Sequence, residues 1–271
     1  MIKDITIGQF YPTDSVLHKL DPRTKLAATF LYIIFLFVIN NLWGYIAAFA
    51  FLTIMVVISK IPISYILRGL KALIFIIVFT VVVNMFWTPG KVLWRWGFLK
   101  LTVEGIVQAV RMAVRLILLV SSTSLMTLCT STIALTDGME HAMKKIPLVK
   151  KVAHEISMMM SIALRFIPTL TDETDKIMKA QKSRGADFES GNIFRRAKTL
   201  IPVLVPLFVS AFQRANELAM AMESRCYQGG INRTRMKELR YARRDIIAYV
   251  ITFFVMGLLL VTRFIPVWSV H

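Results

Sequence analysis

Asp172 and Asp175 stand three residues apart. A D-x-x-D pair is the kind of carboxylate cluster that holds magnesium and phosphate in a membrane-embedded lipid or isoprenoid transferase. This pair sits among Lys176 and Lys179, and no second cluster accompanies it. The four histidines, at 18, 141, 154 and 271, fit no metal-ligand spacing. His154-Glu155 opens like H-E-x-x-H but lacks the second histidine, so it reads as polar helix surface. Cys129 and Cys226 lie far apart, one in an apolar run and one in a basic segment, which suggests neither a disulfide nor a metal site. Gly90-Lys91 lacks both the upstream glycine and the following hydroxyl of a phosphate-binding loop. The chain by itself cannot be a P-loop ATPase.

Two arginines stand out by position. Ser183-Arg184-Gly185 ends the run DKIMKAQKSRG, and Ser224-Arg225-Cys226 ends ANELAMAMESR. A guanidinium grips a carboxylate or a pair of carbonyls with a planar fork of donors, and at a helix C-terminus it also complements the dipole. Ordinary capping explains either site alone. The two share residue type and position, and small residues precede each: Ala180 and Ser183, then Ala219, Ala221 and Ser224. Small neighbours let a partner approach closely.

The elements that position them belong to a membrane protein. Of 271 residues 56% are hydrophobic, with mean hydropathy +0.62. Between Asp21 and Asp137 the only carboxylate is Glu104, and none follows Asp245. An acid-free apolar stretch of that kind is what a bilayer core demands. The net charge of +17 does not indicate nucleic acid, because the segment from Asp137 to Asp245 holds twenty basic and twelve acidic residues and lacks basic–aromatic alternation. Basic residues on the cytoplasmic side of a membrane account for the excess.

Apolar runs predict five spans, over residues 22–39, 43–58, 70–87, 105–135 and 246–261. Asp21 can cap the first and Pro22 suits its first turn. The polar N-terminus shows no cleavable leader. Lys and Arg asymmetry places the N-terminus in the cytoplasm and, after five spans, the C-terminus outside. All five tryptophans then fall at or beyond the outer interface. Arg111 and Arg115, one turn apart in the fourth span, either snorkel or pair with a backbone carbonyl. The run SSTSLMTLCTST, Ser121 to Thr132, suits close helix packing; a hydroxyl-lined substrate path is the sharper alternative. Missing mid-membrane carboxylates argue against a stand-alone secondary carrier.

The organisation is thus residues 1–135 with the first four spans, 136–244 as a polar cytoplasmic domain, and 245–271 with the last span. In the middle domain Ile156, Met160, Ala163, Ile167, Leu170, Thr174, Ile177, Gln181 and Arg184 form one helical stripe. Leu204, Leu207, Phe208, Ala211, Ala215, Leu218 and Met222 form another, leading to Arg225. Pro168, Pro202 and Pro206 are expected to start, kink or break these helices. Residues 200–212, LIPVLVPLFVSAF, are short for a span and read as interfacial or packed on the others.

With DSVLHKLDPRTKL at 14–26, ALRFIPTLTDETDKIMKAQKSRGADF at 163–188 and PVLVPLFVSAFQRANELAMAMESRCY at 202–227, the chain resembles the transmembrane T component of energy-coupling factor transporters. These are the vitamin- and metal-importing branch of ATP-binding cassette systems. The resemblance implies an all-α membrane protein of about five transmembrane helices plus a cytoplasmic coupling domain of long amphipathic helices. It implies no catalysis and no cofactor in this chain, with ATP and magnesium bound by partner subunits. Those partners would be two ATPases and a membrane-embedded substrate-binding S component, dedicated or exchangeable, in a prokaryotic cell membrane.

The family's two Ala-Arg-Gly-like docking motifs fall here on Ser183, Arg184, Gly185 and on Ser224, Arg225, Cys226. Ser replaces Ala in both, and Cys226 replaces Gly in the second. Because Cys carries a Cβ, a left-handed turn at the second motif is expected to shift to Gly229-Gly230. Met158, Met159, Met160, Ile167, Leu204 and Phe208 would contact the S component. Methionine suits such a surface, since its flexible thioether adapts to several partners.

Overall fold

The protein is described here by a computed structural model covering residues 10–39, 41–96, 99–144, 150–188, 192–229 and 241–264. Helices α1 (Pro22–Val38), α2 (Leu42–Ser59) and α3 (Ile63–Trp87) are followed by a hairpin of β1 (Val92–Trp96) and β2 (Leu99–Thr102). Then come α4 (Val103–Cys129), α5 (Thr132–Lys144), α6 (Lys150–Ser183), α7 (Ile193–Glu223) and α8 (Arg243–Phe264). The all-α membrane class holds; the antiparallel hairpin, Val92 facing Thr102, is the addition. The chain divides into two units, one of residues 8–138 and 238–271, the other of 1–7 and 139–237.

In the first unit α4 is the helix on which α1, α2 and α3 pack. It runs antiparallel to α1: Lys25 meets Cys129 near one end, and Ile39 meets Arg115 fourteen residues further along each helix. Asp21 caps α1 by accepting from the Arg23 amide at 2.9 Å, with Pro22 in the first turn. Asp245, 2% exposed, ties the start of α8 to the start of α1. Its two oxygens accept from the Asp21 and Ala242 amides, both at 2.8 Å. Buried Lys25 donates to the carbonyls of His18 and Cys129 at 3.0 and 2.9 Å. A charge therefore enters this apolar bundle only with hydrogen-bond partners in place, as its desolvation demands.

Small residues set the α3–α4 distance. A Cβ at Gly105 would stand 2.6 Å from the Met85 carbonyl oxygen, and one at Gly69 would stand 2.8 Å from the Ser124 hydroxyl. Ser122, Thr123 and Thr127 donate to carbonyls of their own helix. These hydroxyls are thus bonded to their own helix, and Ser124 stands where α3 comes close to α4. Arg115 resolves the other open choice: it donates to the Ile39 carbonyl and the Tyr45 hydroxyl, both at 3.1 Å, and lies over the Phe37 ring.

One expectation needs correction and two are narrowed. The fourth span ends at Cys129, not near Leu135: Thr130 is extended, and Ser131 caps a new helix by accepting from Ala134. Pro168, Pro202 and Pro206 lie inside α6 and α7 and do not end them. Among the described residues, α2, α4 and α8 are long and apolar enough to cross a membrane, and α3, bent by 60° near residue 72, makes a fourth. The fifth expected span, α1, has 17 residues, at the lower limit for a ~30 Å hydrocarbon layer.

Candidate functional site

In the second unit α6 and α7, of 34 and 31 residues, pair antiparallel. Contacts along their length hold the pairing. The Tyr227 hydroxyl donates to the Met158 sulfur at 3.0 Å, Arg214 meets Glu173 at 3.1 Å, and the Gln181 amide approaches the Pro202 carbonyl at 3.5 Å. Early residues of one helix thus meet late residues of the other. Between them Ile162, Phe166 and Leu170 face Ala211, Leu218 and Met222. Only part of the stripe expected of α6 meets α7: Leu170 and Gln181 do, whereas Met160, Ala163 and Ile167 are exposed. Serine and arginine partners hold the Glu173 carboxyl below its usual range: the Ser210 hydroxyl first, then the Arg214 guanidinium.

Both Ser-Arg motifs are helix ends of one construction. After α6, the Ala186 amide donates to the Gln181 carbonyl and the Gly185 amide to that of Lys182, each at 3.0 Å. After α7, Tyr227 donates to Met222 at 3.0 Å and Cys226 to Glu223 at 2.8 Å. These are the paired closing bonds of a Schellman motif, which requires a left-handed residue just past the cap. Gly185 fills that place with φ 88° and Cys226 with φ 55°. The expectation that the left-handed turn moves away from Cys226 is therefore overturned. Gly229 is also left-handed, with φ 89°, but it is additional. Hydrogen-bond closure fixes where the turn must fall, and the Cβ is accommodated there.

Arg184 and Arg225 consequently occupy the same place, the cap itself, and both are exposed. Their preceding serines fold back onto the helices, Ser183 onto the Lys179 carbonyl and Ser224 onto that of Ala221. That leaves the guanidinium as the projecting group. The two ends differ one residue inside the serine, where exposed Lys182 stands in one and exposed Glu223 in the other. An open cleft of about 650 Å³ adjoins the second end, lined by Met158, Arg165, Arg225 and Tyr227 among others. Because the helices are antiparallel, the arginines lie at opposite ends of the pair. At 1.5 Å per residue their separation is about 35 Å.

Of the expected apolar contact residues, Met159, Met160, Ile167, Leu204 and Phe208 are exposed, whereas Met158 is half-buried against Tyr227. Leu204 and Phe208 belong to a broader face of α7 with Ile201, Val205, Val209 and Phe212; all six but Leu204 are more than half exposed. Sequence reading missed Glu140, 1% exposed, which joins α5 to α6. It accepts from Ser157 at 2.7 Å, pairs with Lys144 at 2.8 Å and lies 3.4 Å from His154. The i, i+4 spacing to Lys144 was the available signal.

Residues 13–238 match the family described as cobalt transport protein, CbiQ. The chain is 57% identical over 252 residues to the energy-coupling factor transporter transmembrane protein EcfT of Ruminiclostridium cellulolyticum, covering 93% of this chain and 94% of that one. It is 54% identical over 250 residues to the protein of the same name from Clostridium kluyveri, covering 92% and 93%. The Bacillus subtilis relative of that name is 44% identical over 246 residues, covering 90% and 93%. The chain belongs to the CbiQ cobalt transport protein family, as a transmembrane component of the energy-coupling factor type.

Proposed function

We propose that this chain is the non-catalytic coupling subunit of an ATP-driven importer. It passes motion from two ATPase subunits to a membrane-embedded S component that binds a vitamin or other micronutrient. The observation that carries the reading is the pair of matched helix ends. Two arginines with the same backbone geometry, about 35 Å apart on one antiparallel pair, suit two like pockets on a dimeric motor. Ser183, Arg184 and Gly185 form one docking end, and Ser224, Arg225 and Cys226 the other. ATP and magnesium belong to the motor subunits.

The exposed faces of α6 and α7 support the second contact. Met159, Met160, Ile167, Leu204 and Phe208 present an apolar surface of the kind that a protein partner covers, and its methionines suit exchangeable S components. The excess of basic residues at the α1 start and α2 end supports a cytoplasmic N-terminus and an external C-terminus in a prokaryotic cell membrane.

A tagged pull-down from native membranes tests the docking reading, using wild type, Arg184→Glu, Arg225→Glu and the double variant. Wild type is expected to bring down two nucleotide-binding subunits, each single variant less, and the double variant none. Unchanged recovery in the double variant would reduce both motifs to helix caps.

A further inference from the structure

The first unit contains an apolar cavity of about 200 Å³ among α1, α2, α4 and α8. Its walls include Tyr32, Leu52, Leu125 and Ile251. At one end it shares Val16, Ile58 and Arg244 with a second, polar pocket that also contains Asp14, Lys19 and Lys60. These residues lie just before α1, at the end of α2 and at the start of α8, so they gather at one end of the bundle. The mouth holds three cations and one carboxylate. Asp14 is taken by Lys19 at 3.3 Å, and among the described residues neither Lys60 nor Arg244 has a carboxylate partner. Lys25, 9% exposed, also lines the cavity. Two of its three donors reach carbonyls, which leaves one ammonium hydrogen for whatever enters.

We infer that this cavity binds one anionic phospholipid, with an acyl chain along α1 and the phosphate between Lys60 and Arg244. Dimension and charge both favour that occupant. From Thr24 to Tyr32 the α1 wall extends about 12 Å, close to the ~15 Å that one leaflet contributes to a bilayer core. A soluble anion would have no use for that depth, and a zwitterionic headgroup would gain little from two cations that have no carboxylate partner among the described residues. Basic pockets between membrane helices bind anionic headgroups for this reason. The site is independent of the docking reading.

Native mass spectrometry of the detergent-purified full chain tests it, titrating dioleoylphosphatidylglycerol, dioleoylphosphatidylcholine and inorganic phosphate in turn. Wild type is expected to retain one phosphatidylglycerol and to prefer it to phosphatidylcholine. Lys60→Asn combined with Arg244→Gln should weaken phosphatidylglycerol about thirtyfold, a factor of about five for each basic group lost and its coupling to the second, and leave phosphatidylcholine unchanged. Both positions are exposed, and asparagine tolerates the left-handed φ of 57° at Lys60. Ala248→Phe, which fills the cavity, should weaken both lipids. Equal retention of the two lipids by wild type would overturn the proposal. So would phosphatidylglycerol binding unmoved by the charge variant, or inorganic phosphate displacing the lipid.

Discussion

Replacing Cys226 by glycine should strengthen the end of α7. The left-handed conformation costs an L-residue roughly 1–2 kcal/mol, and Cys226 carries that cost at φ 55°. Glycine removes it but adds about 0.4–1 kcal/mol of unfolded-chain entropy. The net gain is about 1 kcal/mol, or about a factor of five in the local opening equilibrium. Gly185 supplies the reverse experiment. A Cβ there would meet nothing within 4 Å, so Gly185→Ala tests conformation without steric clash and should lose a similar amount. Hydrogen exchange of the closing amides reads both. Tyr227 should exchange about fivefold more slowly in Cys226→Gly, and Ala186 about fivefold faster in Gly185→Ala, because each donates the outer bond of its turn. Unchanged exchange at Tyr227 alongside faster exchange at Ala186 would refute the claim that the two ends are built alike.

Other perturbations give equally direct outcomes. Arg115→Leu should lower stability by about 1–3 kcal/mol, read as a lower thermal midpoint in detergent, because the Ile39 carbonyl and the Tyr45 hydroxyl lose their donor. Glu173→Gln and Arg214→Ala should each lower the thermal midpoint only slightly, with a double-mutant coupling that is equally small, since both groups are partly exposed. His18 should make stability depend on pH. Burial chiefly lowers its pKa from 6.5, helped by the Lys25 charge and opposed by the Tyr11 carbonyl. The fold therefore prefers neutral imidazole: this contribution is complete above about pH 6.5 and fades as pH falls through the lowered value. A thermal midpoint that drops on acidification in wild type, and drops less in His18→Asn, would bear this out.

The N-terminus of α1 was legible because Asp21-Pro22 is a local signal, complete within four residues. The break at Thr130-Ser131 was not, because its flanks Leu128 and Ile133 are apolar and hydropathy averages across it. Amphipathic spacing revealed that α6 and α7 are helices, but it could not say which face of α6 meets α7. Ile162 and Phe166 lie toward the partner, while Met160 and Ala163 do not, and only a partner's position decides between neighbouring stripes. The arginines were found by residue type and place. Their equivalence was hidden by Cys226, because a residue's average preference for φ says little where two hydrogen bonds fix the turn. The role of Lys25 was not legible, because its carbonyl partners come from His18 and from the distant Cys129.

The ion pair between Glu173 and Arg214 has a mechanical consequence. Arg184 lies eleven residues beyond Glu173, and Arg225 lies eleven beyond Arg214. The pair is thus a fulcrum with two equal lever arms of about 16 Å. An α-helix cannot shorten appreciably without giving up its hydrogen bonds, so turning one helix against the other moves the tips sideways while their spacing stays nearly fixed. A rotation of one helix by about 10° about the ion pair would carry its tip sideways by about 3 Å.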